Sequence, residues 1–502
     1  MEYCSTRNRE VRVSAAWAIS HGISEEGGLF VPCSFPQVSA EVLGKMTEED
    51  YRGRAKRILS LFLTDFSSEE IGHCVEEAYT AEKFGDDFIA PISMLDEKTG
   101  VLELWHGPTC AFQDMALQIL PHLLTVSAGK VSSGKTVVIL VATSGDTGKA
   151  ALEGFKDVPN TRILVFYPED GVSAVQKKQM NTQKGENVAV CAIRGNFDDA
   201  QTGVKRIFTS EQIKKTLEDN NMQFSSANSI NWGRLLPQIV YYFSAYCDLV
   251  KEGTVKLGEE INVVVPTGNF GNILAAYYAK KMGLPVKKFI CASNTNNVLT
   301  DFIRTGTYDK NRAFHTTVSP SMDILISSNL ERLLYDMSGC DDQKIAGWMQ
   351  ELKDKGVYTV DEGVKAQLQS LFCGGFATDE ETKAAIGKLY HEENYLCDTH
   401  TAVAIHVYQD YKKTTGDETP TVIASTASPF KFADAVLEGV TGEVSDADGF
   451  TMIDRLAELT KEEIPAPIAA LKTAESRFFD VCDKDEASMT LEVTRLLQVS
   501  GN

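Results

Sequence analysis

Ile261-Asn262-Val263-Val264-Val265-Pro266-Thr267-Gly268-Asn269-Phe270-Gly271-Asn272-Ile273-Leu274-Ala275-Ala276-Tyr277-Tyr278 places an apolar run, a glycine-bearing turn and a helical pattern in direct succession. The run at 261–266 is continuous rather than alternating, as in a strand buried on both faces. Glycines let the backbone turn sharply and approach an anion closely. The helix that follows offers free N–H groups and the positive end of its dipole. The stretch lacks the lysine of a P-loop, and its glycines are not spaced as in a dinucleotide fingerprint. On spacing alone, a plain strand-to-helix turn and a phosphate cup stand about level.

The same unit recurs along the chain. Thr136-Val137-Val138-Ile139-Leu140-Val141-Ala142 predicts a buried strand running into the loop Thr143-Ser144-Gly145-Asp146-Thr147-Gly148 and a helix from Lys149. Further strands are predicted at 162–167, 188–193 and 421–424. Such strands alternating with helices give parallel sheets covered on both faces, an α/β fold. Residues before about 90 read as mostly helical, with Ser67-Ser68-Glu69-Glu70 as a helix start before Ile71, Cys74, Val75 and Ala78. The stretch after about 450 reads as helical again.

Composition bounds the function. The 502 residues allow two or three domains. A formal net charge of −21 disfavours nucleic acid and anionic membrane surfaces, which call for basic patches. There is no signal-peptide core at the N-terminus and no apolar stretch of membrane-spanning length. The eleven cysteines are scattered, without a C-x-x-C pair or zinc-ligand spacing. They read as reduced thiols of a cytoplasmic protein with no metal site.

Four further stretches carry chemistry. Leu104-Trp105-His106-Gly107-Pro108-Thr109-Cys110-Ala111-Phe112-Gln113-Asp114 precedes a helical pattern. The 143–148 loop offers hydroxyls, exposed amides and a carboxylate; alternatively Ser144 or Asp146 simply caps the next helix. Asn228-Ser229-Ile230-Asn231-Trp232-Gly233-Arg234 puts Asn231 and Arg234 three apart, on one face of a helix. An arginine fork suits a phosphate; a capped helix with a surface Arg and a core Trp is the plainer reading. Ser425-Thr426-Ala427-Ser428-Pro429-Phe430-Lys431-Phe432 follows a buried strand, and Thr426 by itself is a strand-end hydroxyl.

Together these stretches resemble the threonine synthases, in the long yeast-like form, over nearly the whole chain and in order. The family's H-G-P-T-x-A-F-K-D motif matches 106–114 except that Gln113 stands in place of the lysine that bonds pyridoxal 5′-phosphate (PLP). T-S-G-D-T-G matches in full; N-S-I-N-W-A-R matches with Gly233 for alanine; S-T-A-H-x-x-K-F matches with Ser428 for histidine. Cys397-Asp398-Thr399-His400-Thr401-Ala402 resembles D-P-H-T-A, and His400 reads as structural, beside a helix start. Ser293-Asn294-Thr295-Asn296-Asn297, Ser319-Pro320-Ser321-Met322-Asp323 and Gly27-Gly28-Leu29-Phe30-Val31-Pro32 also match.

The resemblance implies a type II PLP fold like the tryptophan synthase β-subunit. Two three-layer α/β domains then enclose the cofactor beside an N-terminal helical region. Expected boundaries are 1–92 (N-terminal region), 93–250 (smaller domain), 251–450 (larger domain with the phosphate loop) and 451–502 (helical extension). It implies that Gly268, Asn269, Phe270, Gly271 and Asn272 hold the PLP phosphate and that Thr426 meets the pyridine nitrogen. Ser144, Gly145, Asp146, Thr147, Asn231 and Arg234 then contact the substrate, O-phospho-L-homoserine, and the chain is a monomer. Glutamine neither bonds the cofactor nor shuttles protons, and neither Lys149 nor Lys431 is placed by sequence to replace the missing lysine. The chain therefore reads as an inactive Lys-to-Gln variant of a threonine synthase. The intact surrounding motifs favour an introduced change over a natural pseudoenzyme, and the other readings are a phospho-lyase giving 2-oxobutyrate or a non-catalytic PLP-binding protein.

Overall fold

Ile261–Pro266 is a strand with every residue buried. In this computed structural model, which describes residues 1–497 apart from Asp86, Asp87, Ser132, Ser133, Ser144, Gly171 and Asp446, it lies inside a six-stranded sheet. The order is Phe372–Phe376, Val286–Ser293, Ile261–Pro266, Thr421–Ser425, Thr99–Glu103, Ile92–Met94. All pairings are parallel except that of the edge strand Ile92–Met94. A second sheet of five strands is parallel throughout, in the order Val481–Asp483, Val188–Arg194, Thr161–Pro168, Thr136–Ala142, Met222–Ser225. The strands expected at 136–142, 162–167, 188–193, 261–266 and 421–424 all form within one residue of their expected ends.

The helix Trp232–Lys251 is buried along almost its whole length. It packs on Gly271–Lys281, Tyr51–Phe62 and Asp114–Leu117. Trp232 is fully buried against the rings of Tyr3, Phe62 and Tyr278, with centroids at 5.4, 5.6 and 6.2 Å. Burying an indole removes roughly 200 Å² from water and contributes about 5 kcal/mol. That cluster anchors the N-terminal segment against the domain that carries the phosphate-cup sequence.

Three departures from the sequence reading are visible. Residues 1–92 contain the expected helices, including Ser68–Ala78 with its Ser67/Glu70 capping box. They also contain an antiparallel sheet in which Tyr3–Ser5 lies between Asn8–Val13 and Phe30–Pro32. Tyr3–Ser5 and Phe30–Pro32, of three residues each, are too short to show a period. Residues 93–103, expected in the smaller domain, pair into the larger sheet together with Ile92, expected in the N-terminal region. Val481–Asp483, expected within a helical extension, closes the smaller sheet against Val188–Arg194. Long-range strand pairing decides both, and no local pattern reports it.

Among the described residues no helix is long and apolar enough to cross a membrane. All eleven cysteines are unpaired.

Candidate active site

Parallel pairing puts the carboxyl ends of Thr99–Glu103, Thr421–Ser425 and Ile261–Pro266 on one edge of the larger sheet. The loops leaving those ends are 104–113, 426–428 and 267–270, so three motifs far apart in sequence meet there. Ligands of open α/β sheets bind at this edge.

The 104–114 loop is laced to the strand end beside it. Leu104 N donates to Ser425 O at 3.0 Å, Phe112 N to Thr426 O at 2.8 Å, and Ser428 N to Cys110 O at 3.1 Å. Asp114 folds the loop on itself, accepting from Thr109 N at 2.8 Å and Thr109 Oγ1 at 2.9 Å. Burial pushes its carboxyl up to about 7, against the pull of Thr109 and of the Lys431 charge. Gly107 must lack a side chain, because a Cβ there would stand 2.6 Å from Asp114. Gln113 follows this fold at the head of Asp114–Leu117; it is 5% exposed, and its Oε1 has no hydrogen-bond partner.

Lys431 joins this wall to the other sheet. Its fully buried Nζ stands 2.6 Å from Asp146 Oδ1 and donates to Thr109 O at 3.0 Å. Asp146 also accepts from Gln176 Nε2 at 3.1 Å. Burial works to raise the Asp146 carboxyl, but the charge and hydrogen bond of Lys431 together with the Gln176 hydrogen bond hold the group below its ordinary value. Lys149 is engaged as well, with Glu153 Oε2 at 3.1 Å and Gln183 Oε1. Neither lysine is a free amine.

The helix after Thr136–Ala142 begins at Asp146, yet Asp146 does not cap it. Thr143 does so: its Oγ1 accepts from Gly145 N at 2.9 Å and Gly148 N at 3.0 Å. Sequence reasoning missed this role, because the helix start drew attention to Ser144 and Asp146. Ser144 lies outside the described residues. Gly145 takes φ 142, and a Cβ there would collide with Gln176 at 2.2 Å.

Asn231, expected to contact the substrate, is held by the protein itself. It is wholly buried, its Oδ1 accepts from Gly233 N at 2.8 Å, and its Nδ2 donates to Ile19 O and Ser226 O. Both amide hydrogens are spent on those carbonyls and the oxygen caps Trp232–Lys251, which leaves no donor for an anionic ligand. Arg234 one turn later is buried rather than on the surface. It donates to Ala227 O at 3.0 Å and to Thr147 Oγ1 at 3.4 Å, with no carboxylate among the described residues in ion-pair reach. Burial lowers the guanidinium to about 10. A buried cation without a counter-charge is costly in the empty protein and suits an anionic ligand.

The 267–272 turn has the form of an anion cup. Phe270 takes φ 64 at the N-cap of Gly271–Lys281. The first N–H groups of that helix have no intrahelical partners. Asn329 N and Nδ2 both donate to Asn269 O at 3.0 Å, and Ser327 Oγ donates to Gly268 O at 2.7 Å, so the carbonyls are turned away from the cup. Asn272 Oδ1 accepts from Tyr241 OH at 2.8 Å and from Tyr242 OH, leaving its buried Nδ2 without a partner. Thr426, 6% exposed, makes no side-chain hydrogen bond among the described residues. A spare amide donor beside a helix N-terminus, a spare hydroxyl at a neighbouring strand end and an unpaired buried arginine fit PLP together with an anionic substrate.

The sequence comparisons agree. Residues 2–79 match the family described as "Threonine synthase N terminus", 100–366 "Pyridoxal-phosphate dependent enzyme", and 401–490 "Threonine synthase, C-terminal". Threonine synthase of Pseudomonas aeruginosa is 37% identical over 88% of this chain and 91% of its own length. The chain belongs to the threonine synthase family. Human threonine synthase-like 1 is 39% identical over 97% of this chain and 67% of its own length. PLP-bound threonine synthase from Brucella melitensis superposes with a TM-score of 0.88 at 35% identity, covering 99% of both chains. The yeast threonine synthase structure gives 0.87 at 32% identity over the same shares. The type II fold expected from sequence is thus the fold of this family member, and PLP is the family's cofactor.

Proposed function

We propose that this chain is a threonine synthase scaffold that binds PLP and O-phospho-L-homoserine but turns substrate over poorly, because Gln113 occupies the position of the family's cofactor lysine. The observation that carries the reading is the state of Gln113. It is buried in a loop tied to Thr426, its Oε1 is unpartnered, and the buried amines of Lys431 and Lys149 are both engaged.

When bound, PLP supplies an electron sink for proton removal at the substrate's α and β carbons, phosphate loss from the γ carbon and water addition at the β carbon. The residues Gly268–Asn272 would hold the cofactor phosphate with backbone amides and Asn272 Nδ2. The Thr426 hydroxyl would meet the ring nitrogen as a neutral partner. The Asp146 and Thr147 backbone amides of the 143–148 loop would hold the substrate carboxylate, and Arg234 would take the substrate phosphate. Asn231 fixes the helix start that presents Arg234. Gln113 packs in this pocket, but an amide nitrogen is no nucleophile and does not titrate near neutrality. It therefore can neither carry the cofactor covalently nor move a proton between carbons.

The test compares this chain with Gln113→Lys for phosphate, threonine and 2-oxobutyrate formation from O-phospho-L-homoserine. Turnover confined to the lysine version supports the reading, and the product separates a synthase from a phospho-lyase. Full turnover by the Gln113 chain defeats it. Ligand binding without turnover in both versions would assign a non-catalytic binding protein.

A further inference from the structure

His400 lies outside the residues assigned so far, yet it connects two of them. It is 3% exposed, near the start of the helix Thr399–Thr415, whose N-cap is the fully buried Asp398. Asp398 Oδ2 receives His400 N at 2.9 Å and stands 2.7 Å from His400 Nδ1. On the other side of the ring, Ser321 N donates to His400 Nε2 at 3.2 Å. A nitrogen that accepts an amide proton carries none of its own, so Nδ1 holds the ring proton and donates it to Asp398.

Ser321 belongs to the turn Pro320–Met322, directly behind the phosphate cup. Its carbonyl oxygen lies 2.6 Å from where a Cβ on Gly268 would sit. The turn is fixed at its far end by Asp323, which accepts from Asn294 Nδ2, Asn296 Nδ2 and Thr317 Oγ1 at 2.7–3.0 Å. Asp398 also reaches the opposite wall. Thr401 Oγ1 donates to Asp398 Oδ1 and lies 3.0 Å from Ser425 Oγ, which also receives Trp105 Nε1 at 3.0 Å. Ser425 immediately precedes Thr426. One buried helix start therefore ties the backing of the cup to the strand end that carries the ring-facing hydroxyl.

We infer that His400 is a positioning residue for the cofactor phosphate. Through Ser321 it sets the turn that Gly268 packs on, and so fixes the cup amides at a set distance from Thr426. The inference rests on the reading of Gly268–Asn272 as a phosphate site and adds the residue that aims it. A merely structural histidine would affect every ligand of the pocket alike; a cup-aiming histidine affects phosphorylated ligands alone.

The test measures the dissociation constants of PLP and of pyridoxal, which lacks the phosphate, for the full chain and two variants. His400→Asn keeps a donor towards Asp398 and loses the acceptor for Ser321. His400→Gln keeps an acceptor near the Nε2 position. The expected result is at least a tenfold loss of PLP affinity in H400N, pyridoxal affinity unchanged within about twofold, and recovery of most of the loss in H400Q, consistent with one hydrogen-bonded contact. Equal losses for both ligands, or an undiminished PLP preference in H400N, overturn the inference alone. An unaltered chain that binds pyridoxal as tightly as PLP overturns the cup reading and the inference with it. If the variants do not fold, amide hydrogen exchange of the unaltered chain decides. The 319–323 segment should become more protected with PLP but not with pyridoxal, and equal protection by both refutes the coupling.

Discussion

Replacing Gln113 by lysine should raise turnover and lower the stability of the cofactor-free protein. The side chain at 113 is 5% exposed, and its terminal oxygen finds no partner. An ammonium there would be desolvated with no carboxylate bonded to it, so its pKa falls. Lys149 shows the direction: burial lowers its pKa even with the Glu153 carboxylate at 3.1 Å pulling the other way. A depression of one to three units costs about 1.4–4 kcal/mol. The penalty is fully present below the depressed pKa and vanishes as pH rises through the unfolded value of about 10.4. Denaturant unfolding without cofactor should therefore show Q113K less stable than the parent at about pH 7, with the gap closing towards about pH 10. Added PLP should reverse the order, because only the lysine can bond it, with a shifted absorbance band as the signature. Turnover should rise by about 10⁴, equivalent to about 5.5 kcal/mol of barrier. A gain below about tenfold, or a stability gap that does not change with pH, would refute the reasoning.

Three further outcomes follow from the same network. Lys431→Met should cost about 3–5 kcal/mol in urea unfolding by stranding the buried Asp146 carboxylate, and adding Asp146→Asn should recover most of it; additive losses would mean the pair is not coupled. Asp114→Asn should gain stability over the parent as pH rises from about 4 to about 7 and then hold a constant difference. A carboxyl raised to about 7 by burial stays protonated in the folded state while the unfolded one ionises from about pH 4, which disfavours folding by up to about 4 kcal/mol by about pH 7; a difference flat with pH would count against that. Arg234→Met should weaken binding of O-phospho-L-homoserine roughly 10- to 100-fold, in line with one charge-assisted contact, while PLP binding stays unchanged. Parallel loss of both ligands in calorimetry would move Arg234 out of the substrate site.

The strands at 136–142 and 261–266, the turns that follow them and the capping box at Ser67 were legible from residue order, because each rests on neighbours in sequence: β-branched runs, glycine before a helix, a serine three residues before a glutamate. The family motifs added the cofactor and the anomaly at Gln113. What residue order left open was how each polar side chain is used. Asn231 and Arg234 sit three apart and read as a pair, yet one spends its amide on a helix cap and two backbone carbonyls and the other is buried without a counter-charge. The Lys431–Asp146 ion pair, the Thr143 cap in place of Asp146, and the His400–Ser321 contact depend on which strand ends lie side by side. Parallel pairing over hundreds of residues sets that, and so does the routing of residues 92–103 and 481–483 into sheets far from them in sequence. Local sequence fixes backbone conformation because its interactions are local. Burial and hydrogen-bond partners are settled only when distant segments exclude water from one another.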